Sequence, residues 1–308
     1  MSVPPLTLVV ACERSWSDAA TRGHGEWLTA ARRAVTMVRG ELLVVGERDA
    51  GGEYSSAASW ERFLAVDAAT TIPERWSVGA LVARGEIIAL STDGCTLPTY
   101  WAANAIAGVH EGAVAVGGSF ALNARASRTD RAVYFLRYGA FIAGGASDDR
   151  PRADIAGDIA GDNAAYDRGA LSLIPETWAS GFWEVIVNAA LRERGGVMRR
   201  RTDLIVGFGS GGSFLPMLRQ RFAHGQHAGR WRAESGQRPW WLIVLASPLV
   251  PLVLLQRSMR RAIRDDWHLP VVLLSIVPEF LTLAAAWAAG EAVGAWRATV
   301  VSRPAPHR

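Results

Sequence analysis

Five acidic side chains stand where an α/β chain does ligand chemistry. Glu13, Glu47, Asp49 and Asp93 each fall just past a short apolar run of the kind that forms a buried strand, and open α/β sheets bind ligands outside the carboxyl ends of their strands. Carboxylates in that position accept hydrogen bonds from imide N–H and hydroxyl groups. Together with phosphate oxygens they hold a hard divalent ion such as Mg²⁺ or Mn²⁺. Glu184 opens an amphipathic pattern behind Phe182 and Trp183, and an acid desolvated by large aromatic rings has its pKa raised toward that of a general base. Each residue also has a plain structural use. Asp93-Gly94 is a common turn pair, Glu184 suits a helix N-terminus, and loop acids are ordinarily solvated.

Other chemistries find less support. Two cysteines, Cys12 and Cys95, supply neither a disulfide framework nor a cysteine-built zinc module. The histidines show no metal-ligand spacing, and no serine–histidine–acid triad can be assigned. The glycine-rich stretch Gly207 to Gly212 lacks the Gly-Lys-Ser/Thr ending of a P-loop, and is read as a lid or a flexible joint. Asp154, Asp158 and Asp162 recur every four residues, too short a pattern for a calcium loop. Arg219, Arg221, His224, Arg230 and Arg232 follow the glycines, and suit a diphosphate or lipid head groups.

The elements that must position these residues alternate over the first two hundred positions. Leu6 to Ala11 and Glu41 to Val45 read as strands, with apolar residues at helical spacing between Asp18 and Arg39. A strand, a helix and a strand at this separation make a βαβ unit with parallel strands. Phe63 to Val66, Ile87 to Leu90, Ala113 to Phe120 (broken at Gly117-Gly118) and Thr202 to Phe208 are further strand candidates. Gly79 to Ala83, Leu97 to His110 and Phe182 to Glu193 are read as helical, Asp148 to Asp162 as a loop, and Ala132 to Ala143 fits helix or strand. The expected fold class is α/β, a mostly parallel twisted sheet flanked by helices.

Half of the 308 residues are hydrophobic and 20% are charged, against roughly 25% charged in an average soluble domain. Residues 1–198 hold 18 Arg against 23 acids; residues 199–308 hold 15 Arg against 6 acids. Two apolar runs lie in that basic part, Trp240 to Leu255 and Leu269 to Trp296. The first is marginal for a span of about 20 residues and the second is long enough. Basic residues beside apolar ones favour an anionic membrane surface over nucleic acid, for which no signature is present. With both runs crossing, Arg257, Arg260, Arg261 and Arg264 would lie on the far side, against the positive-inside rule. The first run is therefore expected to be re-entrant or interfacial; two buried helices of a soluble subdomain remain the alternative. Met1 to Ala11 lacks an export signal, so the N-terminal part is expected in the cytoplasm. The expected division is a domain over 1–225 and a membrane-associated helical region over 226–308.

Four segments in order carry a resemblance. Leu6 to Ala11 with Glu13; Ala89 to Cys95 with Pro98 and Trp101; Ala160 to Leu171; and Gly181 to Glu184 with its helix resemble a family 2 glycosyltransferase of the GT-A fold, in its membrane-attached bacterial branch. Ala288 to Gly294 is similar to a tail of that branch. The resemblance implies an inverting transfer of sugar from a nucleotide-diphosphate sugar to a hydroxyl acceptor, a lipid-linked or cell-envelope glycan. It implies Glu184 as base, Asp93 as the ligand of a divalent metal (Mg or Mn), and Glu13, Glu47 and Asp49 as partners of base and ribose. Asn163 would hold the sugar or shape the acceptor loop. It places the catalytic domain on the cytoplasmic side of the cell membrane. The chain departs from the family at Asp93, where two acids separated by one residue are usual. Thr92 and Gly94 supply no second carboxylate, and a non-catalytic sugar-nucleotide-binding or scaffold relative is the alternative. Gln226 to Trp231 is one residue longer than the motif of processive members, which disfavours polymer synthesis.

Overall fold

The computed structural model describes residues 3–12, 25–47, 58–143, 159–209, 212–236 and 239–301. Strands β1 (Leu6–Ala11), β2 (Glu41–Glu47), β3 (Glu61–Val66), β4 (Ile87–Thr92), β5 (Cys95–Thr96), β6 (Ala115–Leu122), β7 (Ala164–Asp167) and β8 (Met198–Phe208) form one sheet in the order β3-β2-β1-β4-β7-β6-β8-β5. β3, β2, β1 and β4 run parallel, as do β6 and β8. β7 is antiparallel to both of its neighbours, and β5 is antiparallel to β8. The α/β class holds, and the sheet expected to be mostly parallel is mixed, since β7 and β5 run antiparallel to their neighbours.

β1, β2 and β4 are continuous apolar runs because both of their faces are covered. On one face Val9, Ala11, Leu43, Val45, Ile88 and Leu90 share a core with Trp76 of helix Ile72–Val82 and with Val187 and Leu191 of helix Glu184–Glu193. Helix Gly25–Met37 buries Trp27, Ala31, Ala34 and Val35 and packs against helix Trp101–His110. Helix Ile72–Val82 starts several residues before the Gly79 that the sequence pattern marks. The Glu74 carboxylate accepts from the Thr71 N–H at 2.7 Å and from its hydroxyl at 2.8 Å, with Pro73 in the first turn.

The contact pattern divides the chain into two compact units. One holds residues 1–123 and 141–210, the other residues 124–140 and 211–308. The boundary thus lies near 210, not 225, and the second unit also takes an insert from the middle of the chain. Helix Phe214–Glu234 belongs wholly to the second unit because it packs along helix Val277–Val301. A side chain on Gly225 or Gly229 would overlap the backbone of Trp287 or Glu291, and one on Gly290 or Gly294 that of Phe222 or Gln226. Two Gly-x-x-x-Gly pairs therefore let the helices meet backbone to backbone. Glu291, buried within the apolar run, is paired with Arg232. The insert forms helix Arg128–Arg137, which resolves the ambiguity over Ala132 to Ala143 at its start.

The first apolar run belongs to a longer helix than its own length suggests, and the second is broken. Trp240–Asp265 makes 26 residues of helix, through Trp240–Ala246, the 3-10 turn Ser247–Leu249 and Val250–Asp265, long and apolar enough to cross a bilayer. Its prolines fall in first turns, where they cost no hydrogen bond. The second run is bent by 74° between Leu269–Ser275 and Val277–Val301. Ile276 leaves helical dihedrals, and Pro278, two residues on, has no N–H to offer the Leu274 carbonyl, so the first piece stops at Ser275.

At the amino edge of the sheet, Glu41 is 1% exposed. Burial alone would raise its pKa. Hydrogen bonds from Thr7 (2.7 Å), from the Arg84 backbone and side chain, and from Arg62 outweigh it and hold the carboxyl below its ordinary value. A depressed folded pKa gives stability that is present above the unfolded value of about 4.3 and lost as pH falls through the folded one. Glu41→Gln should therefore lower stability at pH 7 by about 3 kcal/mol and flatten the loss below pH 4, checked by urea unfolding across pH. In the second unit Gly229→Val should separate the paired helices, seen as a lower, broader thermal transition.

Candidate functional site

The parallel half of the sheet reverses its order of connection between the neighbours β1 and β4. Their carboxyl ends form the crevice in which such sheets bind ligands. Asp93 follows directly on β4, is 3% exposed, and its N–H lies 3.4 Å from the Ala11 carbonyl at the end of β1. Glu47 closes the adjacent β2 and is half-buried. Asp93 and Glu47 thus share one edge, as the sequence pattern requires. Glu13 and Asp49, which would complete it, lie outside the described residues, as do Asp154 and Asp158.

Glu184 reaches the same neighbourhood by another route. It begins helix Glu184–Glu193 and is half-buried. That helix is tied down by Asn188, whose side chain accepts from the Tyr166 hydroxyl at 3.1 Å and donates to the Ile159 carbonyl at 3.1 Å. The Cβ of Glu184 and the ring edge of Trp76 both crowd the Cα of Gly161: a methyl there would lie 3.4 Å from the first and 2.9 Å from the second. Trp76 in turn donates from its indole to the Ser91 carbonyl at 2.8 Å, two residues before Asp93. Trp76 thus lies across Gly161 from the Cβ of Glu184. Phe182, expected to cover the acid, lies in the core with its ring 5.0 Å from that of Tyr166 and 6.0 Å from that of Trp178.

Asn163 is 0% exposed, and its amide is fully committed. The oxygen accepts from the Trp101 indole at 2.8 Å; the nitrogen donates to the carbonyls of Ser119 at 3.0 Å and Leu204 at 2.8 Å. Those carbonyls flank a break in the β6–β8 ladder, where Gly117 faces Arg200 and Ser119 already faces Ile205. Here Gly118 is required, since any side chain would overlap the Leu204 carbonyl. Asn163 thus clamps the 3-10 turn Gly161–Asn163 to β6, β8 and Trp101.

Two residues at this edge escaped the sequence reading. Asp162, at the end of the expected loop, is 0% exposed on that turn. Arg75, 5% exposed on helix Ile72–Val82, donates to the Cys12 carbonyl just past β1 and to that of Ala68 at 3.5 Å. The signal for it was the capped start of that helix. The arginine places a cation at the end of β1. Among the described residues no three His, Cys, Asp or Glu side chains gather as a metal site. Asp93 fits a divalent ion only in the manner of Mg²⁺, which takes one or two carboxylates and completes its shell with water and phosphate oxygens. Gly209 donates to the Gly94 carbonyl at 3.1 Å, so the start of the glycine stretch lines this edge, while 210–211 lie outside the described residues.

A cavity of about 370 Å³ opens at the opposite edge, lined by Arg39, Glu41, Trp60, Arg84 and Arg168 among others. It holds none of the acids singled out by sequence. No protein-family model matches the chain, and no curated protein sequence does.

Asn163→Ala should leave two buried carbonyls and an indole N–H without partners, lowering stability by about 3 kcal/mol or more. Asn163→Asp should be no better, since a carboxylate cannot donate to Ser119 and Leu204. Chemical denaturation measures both, and a loss of ligand affinity with unchanged stability would restore the sugar contact.

Proposed function

We propose that the first unit transfers a sugar, with inversion, from a nucleotide-diphosphate sugar to a hydroxyl acceptor, and that the acceptor is a lipid-linked or cell-envelope glycan. The observation that carries this reading is that the turn bearing Gly161 and Asp162 packs on β4, which Asp93 directly follows, and that the Cβ of Glu184 lies beside Gly161 on that turn. The four ordered segments of the sequence support it as a resemblance.

In-line displacement at the anomeric carbon needs a base on one side of the sugar and charge stabilisation of the departing diphosphate on the other. Glu184, half-buried beside Trp76, is the base in this reading and takes the acceptor proton as its oxygen attacks. Arg75 offers the diphosphate a guanidinium that is already desolvated, so its attraction is little screened by water. Glu47 is left for the ribose or base. Asp93, with or without Asp162, would hold a divalent ion whose chemistry is to neutralise the leaving diphosphate. The membrane-attached setting, with the first unit on the cytoplasmic side, belongs to the same proposal; one helix long and apolar enough to cross a bilayer is consistent with it.

A second reading has its own observation. The position two residues before Asp93 is Ser91, buried and with its hydroxyl lacking a hydrogen-bond partner among the described residues. A sheet edge with one acid where two are usual suits a nucleotide-sugar-binding relative without turnover. Release of nucleoside diphosphate in the presence of donor and acceptor separates the two. Glu184→Gln should lower kcat by about 10²- to 10⁴-fold with donor affinity unchanged, and Asp93→Asn should abolish the response to Mn²⁺. Wild-type turnover in Glu184→Gln would remove the base. Absence of turnover with metal-independent donor binding would favour the second reading.

A further inference from the structure

We infer that the second unit is a monotopic anchor that lies along one leaflet of an anionic membrane and does not cross it. The inference stands apart from sugar transfer and rests on where the ends of three long helices are held. Helix Phe214–Glu234 starts at the insert: the Gly212 N–H donates to the Asp130 carboxylate at 3.2 Å, and the Ser127 hydroxyl to the Gly212 carbonyl at 3.4 Å. The long apolar helix returns to it, with the Ser258 hydroxyl 3.3 Å from the Phe135 carbonyl. Helix Val277–Val301 starts there again, through Arg128 and Glu279 at 2.6 Å and Arg128 and the Ser275 carbonyl at 2.5 Å. The other halves pack together, Arg232 on Glu291 and the Ser247 hydroxyl on the Ala288 carbonyl at 2.9 Å.

Three helices pinned at one end by the same short insert run up, down and up side by side. Were Trp240–Asp265 to cross a bilayer, Phe214–Glu234 would have to cross beside it to deliver the chain to Trp240. That helix carries Arg219, Arg221, His224, His227, Arg230 and Arg232 within its 21 residues, with Arg219 and Arg230 exposed. Charged groups at mid-bilayer are costly and rare, so neither helix crosses.

The exposed surface says what covers the unit instead. Of the 22 large apolar side chains exposed among the described residues, 14 belong to this unit. Trp241, Leu245, Leu249 and Leu252 form one stripe, which continues into exposed Gln256, Arg257, Arg260 and Arg264. Its uncharged apolar part, Trp240 to Leu255, is about 24 Å long, and only the polar end of the helix brings it to the roughly 30 Å of a hydrocarbon core. An apolar stripe ending in arginines matches acyl chains bordered by anionic head groups. The unit holds 16 Arg against 6 acids, so a second copy meeting it face to face would bring like charge.

The full chain, expressed in a bacterial host, tests this with Ser235→Cys and Gln256→Cys at exposed positions near opposite ends of the bundle; the native Cys12 and Cys95 are buried. A membrane-impermeant maleimide should label both in inverted membrane vesicles and neither in intact cells. Labelling of Ser235→Cys alone in intact cells would show a crossing and overturn the inference. Purified protein should float with vesicles of phosphatidylcholine and phosphatidylglycerol, and about tenfold less with phosphatidylcholine alone or after Leu245→Asp with Leu249→Asp. Equal flotation with neutral vesicles, or dimerisation through the stripe without flotation, would equally overturn it. None of these readouts depends on turnover.

Discussion

The carboxamide of Asn163 does for the sheet what backbone pairing cannot. Where β6 and β8 lose register at Gly117 and Gly118, two carbonyls fall out of the ladder, and buried carbonyls without donors are costly. Asn163 supplies both donors and takes the Trp101 indole as its own. The consequence is positional. Gly161 and Asp162, on the same short turn, are held beside β4 and β6, where the Cβ of Glu184 and the ring of Trp76 crowd Gly161. On the exposed side of the break, Arg201 bonds Asp203 at 2.9 Å and Glu111 at 2.9 Å, which secures the looped-out part of β8.

Much of this was legible in the residues, and the losses have physical causes. The buried strands β1, β2 and β4 announce themselves as unbroken apolar runs because parallel strands covered on both faces have no polar side to show. Gly117-Gly118 was readable as a break, but a sequence cannot show which distant amide repairs it, so Asn163 could be read as holding the sugar or shaping the acceptor loop but not as the donor to Ser119 and Leu204. Phe182 and Trp183 precede Glu184 in the chain, yet Phe182 turns into the core and a tryptophan more than a hundred residues earlier takes its place. β7 is short and lies beside an expected loop; its antiparallel insertion between two parallel sets follows from tertiary pairing alone. The apolar runs were legible by composition, but the bend at Ile276 that breaks the second was not.

Charge is divided along the same line as the packing. The first unit holds 17 Arg and 23 acids and the second 16 Arg and 6 acids. The sequence split near residue 199 sees most of this, but it misses the insert, whose four arginines come from the middle of the chain. A unit of net negative charge can still serve an anionic ligand if cations are placed locally, as Arg75 is at the end of β1. In the second unit the arginines coexist with exposed apolar side chains, a combination that water alone does not favour.

The central claim is that ligand binds at the carboxyl edge between β1 and β4. Photolabelling with an azido analogue of a nucleotide-diphosphate sugar, followed by peptide mapping, tests it most directly. Attachment is expected in peptides that hold Cys12, Glu47 or Asp93. Attachment confined to Arg39, Arg84 and Arg168, around the cavity at the amino edge, would contradict the account.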